Sequence, residues 1–237
     1  MDGRRKFEAA KRAISLADER ELKLVDPFLS VLPVKGAALS VLVGPGQATV
    51  SSSNATAARI DELQFDLGEG PCWDAMSTRR PVLRPDFALV GSEDWPLFNE
   101  GVRRDGFHEE IGALYAFPLY VGSLDLGAVD LYASAPRELQ GTEVRRVSKL
   151  AELASWQVLR RILGDDGSEE DLSPLSRRDV HQATGMVLAQ LNISANDALL
   201  LLRAHAFSSG RSVMDVAADV VERRLDFSPG QTPGAGD

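Results

Sequence analysis

The lone cysteine is the first residue to test for chemistry. Cys72 stands in Gly68-Glu69-Gly70-Pro71-Cys72-Trp73-Asp74-Ala75, where Gly-Pro introduces a helix carrying the thiol near its start. A thiolate so placed can be activated, and His108 is the only histidine in the first 163 residues to pair with it. A small buried core residue is the commoner role of an unpaired cysteine, and that is the expectation here. The histidines at 108, 181 and 205 form no H-x-x-x-H or H-E-x-x-H pair. One cysteine supports neither a disulfide nor a cysteine zinc cluster, so no metal and no cofactor is expected. Glu109-Glu110 and Glu93-Asp94 read as solvated faces, and Gly68-Glu69-Gly70 lacks the Lys-Ser/Thr of a phosphate loop. These patterns do not support catalysis, and the chain is expected not to be an enzyme.

Binding chemistry has more to work with. Trp73, Trp95, Phe107, Tyr115 and Phe117 either line a ligand pocket or form a core. Near the C-terminus, Arg177, Arg178 and His181 fall on about one helical turn; Arg203, His205 and Arg211 follow, then Arg223 and Arg224. A small bundle could gather several of these against phosphates or splayed bases. The whole chain carries 26 Lys+Arg against 35 Asp+Glu, a net charge of −9, which disfavours non-specific binding to nucleic acid or membrane. No apolar run reaches the roughly 20 residues of a membrane span. No signal-peptide core follows the basic N-terminus, and a cytoplasmic protein is expected.

The elements that must position these residues divide at residues 164–173, a stretch of five acids and no base followed by Pro174. Residues 1–163 carry 20 bases and 23 acids, whereas 174–227 balance at six each. Residues 228–237 are a Pro/Gly tail expected to be disordered. Before the linker the pattern is α+β. Phe7, Ala10, Ile14 and Ala17 recur at helical spacing, as do Leu22, Val25, Leu29 and Leu32. Residues 36–44 alternate with Leu39, Val41 and Val43 on one face, and 47–53 return across Gly44-Pro45-Gly46. Residues 111–120 and 124–133 form a second hairpin about Gly122-Ser123, and 81–87 an edge strand and turn. An antiparallel sheet with packed helices follows.

Residues 142–163 read as one long helix with a seam of Val144, Val147, Ala151, Ala154 and Val158. Leu150, Leu153 and Ile162 form a second stripe, available to a partner subunit. After the linker only helices are expected: Ser176/Asp179, Ser194/Asp197 and Ser212/Asp215 each read as a capping box, with Ser173 and Pro174 as an alternative first start. Asn192 and Gly210 stand where the first two helices end.

The string Arg178-Asp179-Val180-His181-Gln182-Ala183-Thr184-Gly185-Met186-Val187-Leu188-Ala189-Gln190 closely resembles the opening of an ANTAR domain. Ala198, Leu202-Arg203, Ala206, Gly210-Arg211-Ser212-Val213 and Asp215-Val216-Ala217 continue the likeness. The first 163 residues resemble a GAF sensor domain through Gly68–Cys72, Asp94–Phe98, Phe117-Pro118-Leu119 and Leu126–Tyr132. Together they resemble actinobacterial GAF–ANTAR regulators. The resemblance implies a three-helix module that binds paired stem-loops in nascent RNA and controls transcription antitermination, as a homodimer, under a small-molecule or protein signal at the GAF domain. It places Ala183, Gly185, Arg203, Ala206 and Arg211 near the RNA-facing surface, and Trp73, Trp95, Tyr115 and Phe117 as pocket candidates. Thr184 stands where many members carry lysine; Arg178 and His181 are the candidates to supply that phosphate contact. Gly185 costs roughly 1 kcal/mol inside a helix relative to alanine, which a close approach by protein or RNA would explain. A protein-interaction adaptor without RNA binding is the alternative function.

Overall fold

The computed structural model describes residues 2–15, 23–42, 48–87, 94–164 and 177–228. The chain splits into two compact units, Met1–Leu175 and Ser176–Asp237, each described on its own. The hairpin turn at 44–46, most of the acidic linker, the Ser173 and Ser176 caps, and the tail beyond Ser228 lie outside the described residues, as do Ala17, Leu22, Val43 and Glu93.

The first unit is built on a five-stranded antiparallel sheet: β1 (Gly36–Val41), β2 (Ala48–Ser52), β3 (Val82–Arg84), β4 (Ala113–Val121) and β5 (Leu124–Ala133), in the spatial order β2-β1-β5-β4-β3. The expected α+β class and both hairpins are present, and β3 is an edge strand. One expectation changes. All six residues of β1 are buried, including Ala38 and Ser40, because helices cover both faces of the sheet and leave no solvated side to alternate towards.

On one face lie α1 (Asp2–Ser15), α2 (Asp26–Val31) and α6 (Gly141–Gly164), whose Ile14, Phe28, Val147 and Val158 share a core with Leu39, Tyr115, Phe117 and Val129. On the other lie α3 (Ala55–Leu67), α4 (Pro71–Thr78) and α5 (Pro96–Arg104); Ile60, Phe98 and Val102 meet Ala38, Leu114 and Tyr132 there. Local signals explain the ends of α3. The Asn54 side chain accepts from the Ala57 amide at 2.8 Å, and Gly68 closes the helix at φ +69°.

Two of the three residues of the second stripe of α6 are not free for a partner. Leu150 is buried and Leu153 half-buried in the unit's own core, because α1 packs along that side. Arg146 lies over the Phe7 ring at 5.9 Å, and Gln157 Nε2 donates to the Ser15 carbonyl at 3.4 Å. The large apolar side chains that stay exposed on α6 are Trp156, Ile162 and Leu163. No single helix among the described residues is long and apolar enough to cross a membrane.

The second unit is a bundle of α7 (Arg178–Leu191), α8 (Ala195–Ser209) and α9 (Val213–Val221). Ser194 and Ser212 cap α8 and α9, accepting from Asp197 N at 3.2 Å and Asp215 N at 3.0 Å while donating to the same aspartates' carboxylates. Asn192 and Gly210 end α7 and α8 in the left-handed conformation, at φ +53° and +67°. The core is Val180, Ala183, Val187, Ala198, Leu202, Ala206, Val213, Val216, Ala217 and Val220.

Candidate functional site

Helix α7 turns Val180, Ala183 and Val187 inward, so its outer face is the row Arg178, Gln182, Gly185 and Ala189, all exposed. Gly185 is the informative member. A Cβ added there would meet no atom within 4 Å, so packing inside the bundle does not require glycine. The row is low and ends beside a groove of about 370 Å³ lined by Met186, Ala189, Gln190, Val220, Arg223, Leu225, Asp226 and Ser228. The segment after α9 forms the groove's far wall, held by the Phe227 amide donating to Gln190 Oε1 at 3.1 Å and by Phe227 meeting the His205 ring edge-on at 5.6 Å. Arg223 at the groove is exposed.

The structure divides the sequence-derived candidates. Arg178 and Gly185 share the exposed face of α7. Ala183 and Ala206, expected near the RNA-facing surface, are instead core residues, 0% and 2% exposed; close helix packing accounts for their small size. His181 is half-buried and its Nε2 is sealed from solvent. Burial pushes the imidazole pKa down, so it is neutral near pH 7 and a poor substitute for the missing lysine. Arg203 is half-buried. Arg211 is exposed but pairs with Asp219 at 2.7 Å, and that carboxylate is also held by Arg224 at 2.6 Å. The two guanidiniums keep the Asp219 carboxyl below its ordinary range. Arg177 is wholly buried, so it belongs to the fold of the bundle and not to its surface. Thr184 bonds within the helix, donating to the Val180 carbonyl at 2.6 Å.

The four pocket candidates do not converge. Alternation along β4 sends Tyr115 and Phe117 into the core beneath α1, α2 and α6, while Trp95 packs with Phe87 and Phe98 on the opposite face. The polar atoms of the three besides Phe117 are used internally. Tyr115 donates to the Arg137 carbonyl, Trp95 Nε1 to Asp74 at 3.0 Å, and Trp73 Nε1 to the Gln64 carbonyl at 2.7 Å. Phe107 is half-buried against the Trp95 side.

The Gly68–Cys72 motif is a junction. Gly70 has φ +134°, and a Cβ there would fall 2.6 Å from Gln64 Cγ. That room lets Gln64 accept from the Cys72 amide at 2.8 Å and donate to Asp130 on β5 at 2.9 Å. Glu69 accepts from the Phe98 amide at 2.6 Å, tying in the start of α5. Cys72 is buried. Beside the junction, Ser40 and Thr49 both donate to the buried Asp61, while Asp130 Oδ1 has no partner among the described residues. Burial, and then the nearby Asp61 charge, hold the Asp130 carboxyl well above its ordinary pKa. Sequence reading missed this pair of buried acids, since nothing in their spacing marks them.

Comparison with known proteins agrees with both architectures. Residues 25–156 match the GAF domain family. The chain belongs to that family. Residues 174–221 match the ANTAR domain, so the GAF module precedes an ANTAR module. None of the curated proteins matches the chain. Among solved structures, the GAF domain of a phosphoenolpyruvate-protein phosphotransferase from Coxiella burnetii is similar at 16% identity, with a TM-score of 0.55 over 69% of this chain and 97% of that one. The GAF domain of the Acinetobacter phosphoenolpyruvate-protein phosphotransferase is 10% identical, with a TM-score of 0.48 over 68% and 96%. The first of these shows the GAF fold.

Proposed function

We propose that this chain is a non-catalytic, cytoplasmic regulator of transcription antitermination, of the GAF–ANTAR kind found in actinobacteria. Its ANTAR module binds RNA hairpins in nascent transcripts, and its GAF module receives the controlling signal. The ANTAR match over 174–221 carries this reading. The exposed row Arg178, Gln182, Gly185 and Ala189 supports it, because an open glycine lets a backbone approach closely where the bundle itself has no use for one. The signal acts by shifting a population of dimers or of module placements, without new chemistry. Trp156, Ile162 and Leu163, exposed on α6, favour pairing of two chains, which suits two hairpins in tandem.

The test is binding of the purified protein to a tandem two-hairpin RNA, a single hairpin and a matched duplex DNA at two salt concentrations. Selective, salt-sensitive affinity for the tandem RNA is expected. Absence of RNA binding at low salt would favour a second reading, a protein-interaction adaptor. One observation supports that reading: α8 exposes Leu200, Leu201 and Phe207, an apolar face on a small module.

A further inference from the structure

The basic residues of this acidic chain are unevenly placed. Helices α1 and α6 together carry ten of its 26 Lys+Arg and four of its 35 Asp+Glu. These two helices lie side by side in the GAF module and run in the same direction. Gly3 sits against Arg146, where an added Cβ would be 3.3 Å from Nη1, and Ser15 meets Gln157. Their basic ends are therefore adjacent. Lys11 and Arg146 flank one ring, that of Phe7, at 5.6 and 5.9 Å.

Among these cations Lys11 is neutralised by Glu8 at 3.2 Å and Lys149 by Glu152 at 2.7 Å, and Lys6 and Arg161 also have interactions of their own. Arg4, Arg5, Arg12 and Arg145 are exposed and form no ion pair with a carboxylate among the described residues, whereas Arg146 is half-buried and its charge acts on Glu143. Arg4 and Arg5 stand in the first turn of α1, where the helix dipole favours acids. Gathering unpaired like charges there is unfavourable for the isolated fold, and an external polyanion would reverse the sign of that interaction. All four exposed members are arginines, whose planar fork binds phosphate oxygens in pairs. Arg4 to Arg12 spans about 12 Å of helix, several times the roughly 3.4 Å rise per nucleotide of a duplex strand. A lipid surface fits less well. The apolar side of α1, Ala10 and Ile14, is buried in the protein core, so no amphipathic face is left to enter a membrane.

We infer that the paired α1/α6 surface of the GAF module is a second RNA-contacting site, binding the phosphate backbone without sequence preference. This rests on the RNA-binding reading above. It assigns most of the phosphate attraction to the sensor module, since the ANTAR module's six bases are balanced by six acids and Arg211 and Arg224 are paired.

The test uses the full chain, a tandem two-hairpin RNA and the variant Arg4→Gln/Arg5→Gln/Arg12→Gln/Arg145→Gln, with Arg4→Gln/Arg5→Gln as a milder companion; Arg146 is left in place because it packs on Phe7. Thermal unfolding should be unchanged or slightly higher in both, because repulsion is relieved. RNA affinity of the quadruple variant should fall at least about tenfold near 0.1 M salt. Its slope of log affinity against log salt should become shallower by about 3, at roughly 0.7–0.9 per lost phosphate contact. Replacing the same four arginines by lysine should keep most of the slope. Equal affinity and slope in wild type and the glutamine variant would overturn the second site while leaving the ANTAR reading intact. A wild-type chain that binds no RNA would overturn both, as would retention on phosphatidylserine vesicles in its place.

Discussion

Gly185 lies in mid-helix on the face of α7 turned away from the bundle, and nothing approaches the position a Cβ would take. Gly185→Ala should therefore stabilise the ANTAR module by about 1 kcal/mol, the ordinary helix-propensity difference, seen as a rise in its thermal midpoint. The same methyl should weaken RNA binding by standing in the way of the approaching strand. A variant that gains stability and binds RNA as before would remove Gly185 from the contact surface. Asp130 makes a prediction of the opposite kind, about pH. Its carboxyl is held well above the ordinary range, so the folded chain keeps a proton that the unfolded chain releases near about pH 4. Stability contributed by this group is thus full at low pH and is lost as pH rises towards the raised folded value. Asp130→Asn, with no proton to lose, should flatten that decline above about pH 4 in denaturant titrations. An unchanged slope would show that Asp130 ionises normally.

Among the elements, the junction of α3, α4 and α5 has the least tolerance for change. Gly70→Ala would place a methyl 2.6 Å from Gln64 Cγ and force a positive φ on a residue with a side chain. A loss of about 2–4 kcal/mol is expected from strain and overpacking together, measured as the unfolding midpoint of the GAF module. The sequence marked this motif as part of the GAF resemblance and as the start of a helix. It did not show that Gln64, six residues earlier, is the group the motif accommodates, because that contact depends on how α3 meets α4 and β5. Helix α6 teaches a similar lesson. Two apolar stripes were legible from spacing, but the identity of what covers each was not: Leu150 and Leu153 of the stripe offered to a partner lie in the unit's own core, while Ile162 stays exposed. Caps at Ser194, Ser212, Asn192 and Gly210 were legible outright, since each is settled within a few residues of chain.

At the scale of the whole molecule, the exposed Trp156, Ile162 and Leu163 are the remaining apolar side chains of α6 available to a second copy. If they pair two chains, Trp156→Ser combined with Leu163→Ser should shift the protein to monomer in sedimentation equilibrium without lowering its unfolding midpoint. A wild type that is already monomeric at tens of micromolar would exclude pairing through this face. Sequence alone determined the order of modules, the antiparallel hairpins, the three-helix bundle and its capping, because periodicity, turn residues and charge breaks are local properties of the chain. Tertiary structure decided which small and aromatic residues are surface and which are core. Ala183 and Ala206 went inside, Gly185 stayed out, and Tyr115 and Trp95 were parted by the sheet. It also laid α1 and α6, whose arginines are more than a hundred residues apart in sequence, side by side. Burial and charge density depend on what packs beside a residue, and that neighbour is seldom close in sequence.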